Sequence, residues 1–415
     1  MNFEIAWPVS KIHRMEGGGC RPPADSLIAV PASSPLAMRY YRSGNALWAF
    51  DTLLGLLIPA ILLATGVSAR LRTLALRAGR SWLLSTALYA LLFVTVSTLL
   101  TLPLTYYEEF VRQHAYGLSN QTLQKWMSDW GKASALSAVG LALVLWIPYL
   151  LLRRSPRRWW LYTGLATVPL TTFLLVISPV WIDPLFNHFG PLKNHVLEQR
   201  ILALAARAGI PGSKVFEVEK SEDTQTVNAY VSGVGRTKRI VLWDTLLGKL
   251  NTPQVEFVVS HEMGHFVLHH VLAIIILVTL VVTGSLYVVH RAADRLIRRF
   301  SARFGFSRLS DIASFPLLVL LGSAAGLAAS PAVLAFSRHQ EHEADRFGLE
   351  LTRDNRAAAS TFVRLQEENL AIPRPGWFFV LWRSSHPSLG DRVDFANFYR
   401  PWACSQPLRY GHLFR

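Results

Sequence analysis

Residues 258–270 read VVSHEMGHFVLHH and set His261, Glu262 and His265 in the order H-E-x-x-H. On a helix, residues four apart project from one face, a single turn from each other. Two imidazoles so placed can bind one Zn²⁺, and Glu262 can reach a water on that ion. A helix is well signalled here: Thr252 suits the N-cap, Pro253 the first helical position, and Glu256 the positive end of the dipole. Val255, Phe257, Val258, Val259, Met263, Phe266 and Val267 make this helix apolar apart from the polar trio. Buried imidazoles and carboxylates need partners or a metal to offset desolvation. A satisfied pair of core histidines would leave Glu262 unexplained.

The surrounding chain is that of a membrane protein. Of its 415 residues, 51% are hydrophobic and 17% charged. Residues 82–104, 133–152, 159–182, 271–289 and 312–336 hold no Asp, Glu, Lys or Arg, and 52–69 is a shorter sixth apolar run. Each is about the length that spans a bilayer as a helix. Expected is a mainly α polytopic bundle of about six spans, with seventh-span counts left open, carrying a soluble α+β domain. The division reads as an N-terminal arm over 1–45, a four-span membrane domain over 46–191, and a catalytic domain over 192–415 with two more spans, about 271–289 and 312–336.

The net charge of +15 is mostly arginine. These arginines cluster in short segments between spans, where they set topology, so the partners implied are the bilayer and not a nucleic acid. Cys20 and Cys404 lie far apart and have no zinc-ligand spacing. The N-terminus has no long apolar core of the signal-peptide kind, and reads as a poorly ordered arm.

Local patterns fill in the soluble parts. Residues 106–132 read as an amphipathic interfacial helix pair, and 291–308 as an arginine-rich loop. Residues 193–208 form an amphipathic helix that Gly209 ends. Strands are expected over 214–219, 227–232 and 239–243, and a helix over 355–370. The metal helix is expected to run on into the fifth span, with the metal roughly 9 Å along the axis from the apolar run. Residues 337–415 read as soluble.

A hydrolytic zinc site takes three protein ligands and leaves a position open for water. Directly after the last span comes SRHQEHEADRFG, with Glu341 and Asp345 one turn apart. Taken alone, that cluster reads as a solvated helix end.

Together the two motifs resemble peptidase family M48, in its Ste24-type branch of CAAX prenyl protease 1-like membrane proteases. The resemblance runs through YYEEFVRQHAYGLSNQT (106–122), ISPVWIDPLFNHFGPL (177–192), VNAYVSG (227–233) followed by KRIVLWDTLL (238–247), HEMGH (261–265), EHEAD (341–345) and HPSLGDR (386–392). It implies a zincin-like metallopeptidase domain, and kinked membrane helices around a hydrated chamber. His261, His265 and Glu341 would be ligands of one Zn²⁺ per chain, and Glu262 the general base and acid. Asp345 would accept a hydrogen bond from a ligand imidazole. His386 and Arg392 would face the developing oxyanion. Asn228, Ala229 and Tyr230 would hold an extended peptide or protein substrate. His269, His270 and His339 read as polar lining, with three ligands already assigned.

Two rival readings stand beside this one. A site-2-type intramembrane protease also carries H-E-x-x-H, but takes an Asp within a span as third ligand, and the spans after His265 hold none. A silent membrane scaffold or transporter has no use for a base beside two imidazoles. The short arginine-rich connections suggest a bacterial inner-membrane protein. For orientation the signals oppose each other: the resemblance implies a catalytic face toward the cytoplasm, while six spans and the arginine count place it outside.

Overall fold

The computed structural model describes residues 22–233 and 238–415. Six of its helices are long and apolar enough to cross a membrane. Helix α1, Pro35–Ala64, starts on the Ser34 side chain, which accepts from the Ala37 N–H. The short α2, Val67–Ala78, follows, and then α3, Trp82–Tyr106. Helix α4 is Leu123–Val144, α5 Trp146–Arg154 and α6 Trp159–Ile177.

The arm expected over 1–45 is therefore corrected. Residues 35–45 already belong to the first span, and the segment before them is docked. Ile28 pairs with Asn397 through backbone N–H and C=O alike, at 3.0 and 2.8 Å. Residues 1–21, Cys20 included, lie outside the described residues.

The interfacial helix pair expected over 106–132 is also corrected. Helix α3 continues through a π-helical stretch, Tyr107–Val111, and a last turn, Arg112–Ala115. Gly117, at φ 69°, then reverses the chain. Where the two spans meet, Tyr106 stacks on Phe110, and Trp126 packs edge-on against Tyr106 and tilted against Phe110. Aromatic packing, rather than a surface amphipathic face, accounts for the polar–aromatic pattern.

The soluble part carries a four-stranded sheet. Its strands are β1 (Phe189–Pro191), β2 (Lys214–Val218), β3 (Ala229–Ser232) and β4 (Arg239–Trp243), in spatial order β1-β2-β4-β3. β2 and β4 pair parallel; β1 and β3 flank them antiparallel. Helix α7, His195–Arg207, capped by Asn194 and followed by Gly209 at φ 75°, lays Leu197, Ile201 and Leu204 on this sheet. Strand β1 escaped the sequence reading because three residues carry no usable alternation.

After α8, Asp244–Lys249, comes α9, Thr252–Val267. Its N-cap is Asn251 rather than Thr252. Asn251 Oδ1 accepts from the Gln254 N–H at 3.1 Å and Gln254 Oε1 accepts from the Asn251 N–H at 3.0 Å, a reciprocal capping box. Nor does α9 run into the fifth span. The chain breaks at Leu268 and at His269, whose φ is 56°, before α10, His270–Phe304. Histidine is one of the side chains that enters the left-handed region most readily. The break lets α9 and the span take separate directions.

Helix α10 runs through most of the expected arginine-rich loop, since its arginines lie on helical turns and Gly305, at φ 73°, ends it. Helix α11, Phe315–Thr352, is a single helix from the last span through Glu341 and Asp345, and its end packs into the soluble domain. α12 (Asn355–Glu368), α13 (Trp377–Trp382) and α14 (Leu389–Phe398) complete the fold.

The core is divided. One cluster, with Leu63, Tyr89, Tyr149, Trp159 and Leu317, closes the end of the bundle remote from the soluble domain. The other two pack α7, the sheet, α9, the end of α11, α12 and α14 together. The apolar windows of the six spans bury between 0% and 28% of their residues within the chain. Their remaining apolar surface is free to face lipid.

Candidate metal centre

Two helices build the site. His261 and His265 project from α9, and Glu341 and Asp345 from α11. The helices approach closely because glycines face each contact. A Cβ on Gly264 would stand 3.1 Å from the Phe347 Cβ, and one on Gly348 would stand 3.1 Å from the His261 nitrogen.

Three groups that could hold a metal ion converge. His261 Nε2 and His265 Nε2 are 3.2 Å apart. Each lies 3.3 Å from an oxygen of Glu341, His261 from Oε2 and His265 from Oε1. A tetrahedral ion with bonds of about 2.0–2.1 Å holds its ligand atoms about 3.3–3.4 Å apart. Glu341 Oε2 is buried and has no hydrogen-bond partner among the described residues. Two imidazole nitrogens and an orphaned carboxylate oxygen aimed at one point fit a divalent cation.

The electrostatics agree. Burial alone would lower the His261 imidazole, but the Asp345 and Glu341 carboxylates outweigh it and push it up to about 10. The pocket's field thus favours a positive charge between these groups.

The candidate ligands are themselves held. Asp345 Oδ1 lies 2.8 Å from His261 Nδ1, which turns Nε2 inward. Asp345 is fully buried and gripped by Arg392, whose Nε and Nη2 donate at 2.8 and 2.7 Å. The Arg392 guanidinium also sits 4.3 Å over the Phe362 ring. Arg392, expected to face an oxyanion, directs its Nε and Nη2 to Asp345. His265 has its own support, since its Nδ1 lies 3.0 Å from Nδ1 of His270. The Gln340 amide donates to the His270 carbonyl at 3.2 Å.

Sequence reasoning gave His270 only a lining role. Its distance from His265, five residues and a helix break away, follows no helical period. His269 and His339 are exposed.

Glu262 makes no hydrogen bond or ion pair among the described residues. Burial pushes its carboxyl above the usual range, against the pull of His261 and His265. His386 reaches in from the loop before α14, with Nε2 3.3 Å from Glu341 Oε2. Ser385 Oγ lies 2.8 Å from His386 Nδ1, which leaves Nε2 as the donor when the hydroxyl donates. Arg338, on α11, donates to the carbonyls of Val380 and Ser384 at 2.7 and 2.8 Å, tying that loop to the ligand helix. The arginine stood beside the second motif in sequence, but its partners some forty residues on were not legible.

Strand β3 packs beside α9 and forms one edge of the sheet. The Trp243 N–H donates to the Asn228 carbonyl at 3.3 Å, so Asn228 and Tyr230 turn their backbone groups toward β4. Ala229 and Val231 turn theirs to the open edge. The Asn228 side chain accepts from the Ala229 N–H at 2.8 Å. Of the three residues expected to hold substrate, Ala229 turns its carbonyl to the edge while its N–H is held by Asn228 Oδ1, and Val231 joins it.

The model of peptidase family M48 matches residues 191–398, and one for the CAAX prenyl protease N-terminal region, five membrane helices, matches 36–188. The chain belongs to peptidase family M48. An uncharacterized metalloprotease, YhfN of Bacillus subtilis, is 38% identical over 366 residues, 88% of this chain and 86% of that protein. CAAX prenyl protease 1 of Saccharomyces cerevisiae is 28% identical, over 76% of this chain and 73% of its own length. The crystal structure of Ste24p of S. mikatae superposes with a TM-score of 0.74 at 25% identity, covering 86% of each chain. This M48 member is an integral membrane metalloprotease, and its family implies a divalent metal. The intramembrane and scaffold readings are not favoured: the candidate third ligand is Glu341, past the apolar part of the last span, and not an aspartate within one.

Proposed function

We propose that the chain is a zinc endopeptidase that hydrolyses extended, membrane-associated peptides, with one Zn²⁺ held by His261, His265 and Glu341. The observation that carries this reading is the mutual 3.2–3.3 Å spacing of the three ligand groups around a buried, orphaned carboxylate oxygen. Bound there, zinc supplies Lewis acidity at the scissile carbonyl.

The chain's residues do the rest. Glu262, free of other partners, takes the proton of the attacking water and passes it to the leaving amine. His386 Nε2–H is placed to donate to the oxyanion that develops. Asp345 and Arg392 fix the His261 ring, and His270 the His265 ring. The open β3 edge accepts substrate as an added strand through Ala229 and Val231, giving affinity with little demand on sequence.

Metal content and casein hydrolysis of the purified protein, with and without chelator, test the reading. Glu262→Gln should keep its zinc and lose turnover by roughly 10²-fold or more; retained proteolysis would remove Glu262 as base. Glu341→Ala should lose the metal, and an unchanged metal content would reassign the third ligand. The bacterial inner membrane is the proposed location. Labelling of Glu219→Cys in intact cells distinguishes a cytoplasmic metal end from an external one.

A further inference from the structure

The end of the bundle remote from the metal is strongly basic. Fourteen arginines fall in residues 66–80, 153–158 and 290–311, against only Asp294 and Asp311. The fold brings these segments together. Arg72 pairs with Asp311 and donates to the Gly305 carbonyl, and the Trp159 indole donates to His290 Nδ1 at 3.3 Å. Between them lies an open cavity of about 810 Å³, within the roughly 300–1,000 Å³ typical of small-molecule sites.

Its depth in the membrane follows from one helix. His270 touches the ligand His265, and His290 lines the cavity. Twenty residues of α10 separate them, about 30 Å, which is the thickness of a hydrocarbon core. Metal site and cavity therefore sit at opposite membrane faces.

The lining suits a phosphate group attached to acyl chains. Arg153 and Arg308 border the cavity, both exposed and without an ion-pair partner among the described residues. Arg153 is braced 4.6 Å over the Trp82 ring. An indole N–H only donates, so His290 Nδ1 accepts and its Nε2 carries a proton for an acceptor in the cavity. Of the two carboxylates at the wall, Asp311 is held by Arg72 and by the Ala313 N–H, and Asp294 is exposed. Leu76 and Ile312 continue the wall on the apolar side, and Leu83 and Leu84 beside it are exposed toward lipid. Trp82 and Trp159 each begin a span, the level at which tryptophans meet headgroups.

We propose that this cavity binds the headgroup of an anionic phospholipid, with its phosphate on Arg153, Arg308 and His290 Nε2 and its acyl chains along the spans. Basic pockets between membrane helices take such headgroups. Arginines that only set topology need no cavity, and here three of them, Arg72, Arg153 and Arg308, border one. The site stands with the metal end on either side of the membrane.

The full chain in neutral maltoside detergent is titrated with phosphatidylglycerol, phosphatidylcholine and inorganic phosphate. The readouts are melting temperature and lipid retained in native mass spectrometry. Phosphatidylglycerol should raise the melting temperature and stay bound, and the effect should weaken with salt. Phosphatidylcholine and inorganic phosphate should do neither. The Arg153→Gln, Arg308→Gln double variant should bind phosphatidylglycerol roughly 25-fold more weakly, at about fivefold per arginine, with its metal content unchanged. If that variant does not fold, Arg308→Gln alone, in the loop between two helices, should show about fivefold. Equal stabilisation by phosphatidylcholine would overturn the proposal, as would an equal effect of inorganic phosphate or wild-type affinity in the variants.

Discussion

Gly348 lies against the backbone of His261: a Cβ at position 348 would stand 3.1 Å from the His261 nitrogen and 3.3 Å from its Cα. The contact joins the helix of the two imidazoles to the helix of the two carboxylates, one turn beyond Asp345. A backbone neighbour cannot rotate away as a flexible side chain can. Gly348→Ala should therefore push α9 and α11 apart, costing about 1–3 kcal/mol and weakening metal binding. Gly322→Ala on the same helix meets nothing within 4 Å and should leave both intact. Metal-competition titration and melting curves of the two variants check this.

Arg392 separates positioning from catalysis. Its fork holds Asp345, which holds His261. Lysine keeps the charge but cannot reproduce the bidentate grip. Arg392→Lys should reduce metal affinity about 10–100-fold, with kcat restored when excess zinc fills the site. A low kcat at full occupancy would return Arg392 to the oxyanion.

The open sheet edge makes a backbone prediction. Proline removes an N–H and is tolerated where that N–H faces away from the ladder. Val231→Pro should raise KM for peptide substrates while metal content and melting temperature hold. Tyr230→Pro, whose N–H turns toward β4, should instead destabilise the sheet. Equal kinetics for Val231→Pro and wild type would place the substrate elsewhere.

Asp244 gives the pH dependence. Burial pushes its carboxyl up, but Ser221 Oγ–H and the N–H groups of Lys220, Ser221 and Thr245 outweigh that and hold it below the usual value. A depressed carboxylate stabilises the fold above its unfolded pKa and loses that stability as pH falls through the folded value. The gap in stability between wild type and Asp244→Asn should be full at neutral pH. It should shrink below about pH 4, as read by melting temperature against pH.

Local signals carried the sequence far. Six spans were legible because length and hydropathy are properties of a run. The strand 239–243 emerged with its expected bounds, and the helix over 195–207 within two residues of them. Errors fell where a neighbour overrides the local pattern. A capping box moved the start of α9 by one residue, a left-handed His269 ended the run into the fifth span, and packing of Tyr106, Phe110 and Trp126 turned an apparent surface segment into the ends of two spans.

The amino-acid order by itself determined that the chain crosses a membrane and that two imidazoles and a carboxylate share one helical turn, since both follow from spacing along a single segment. Only the tertiary structure decided what meets them. Glu341 is 76 residues from His265, Arg392 is 47 from Asp345, and the arginines around the far cavity come from three separate segments. Such meetings depend on how closely whole helices pack, here through Gly264 and Gly348, and no local period encodes that distance.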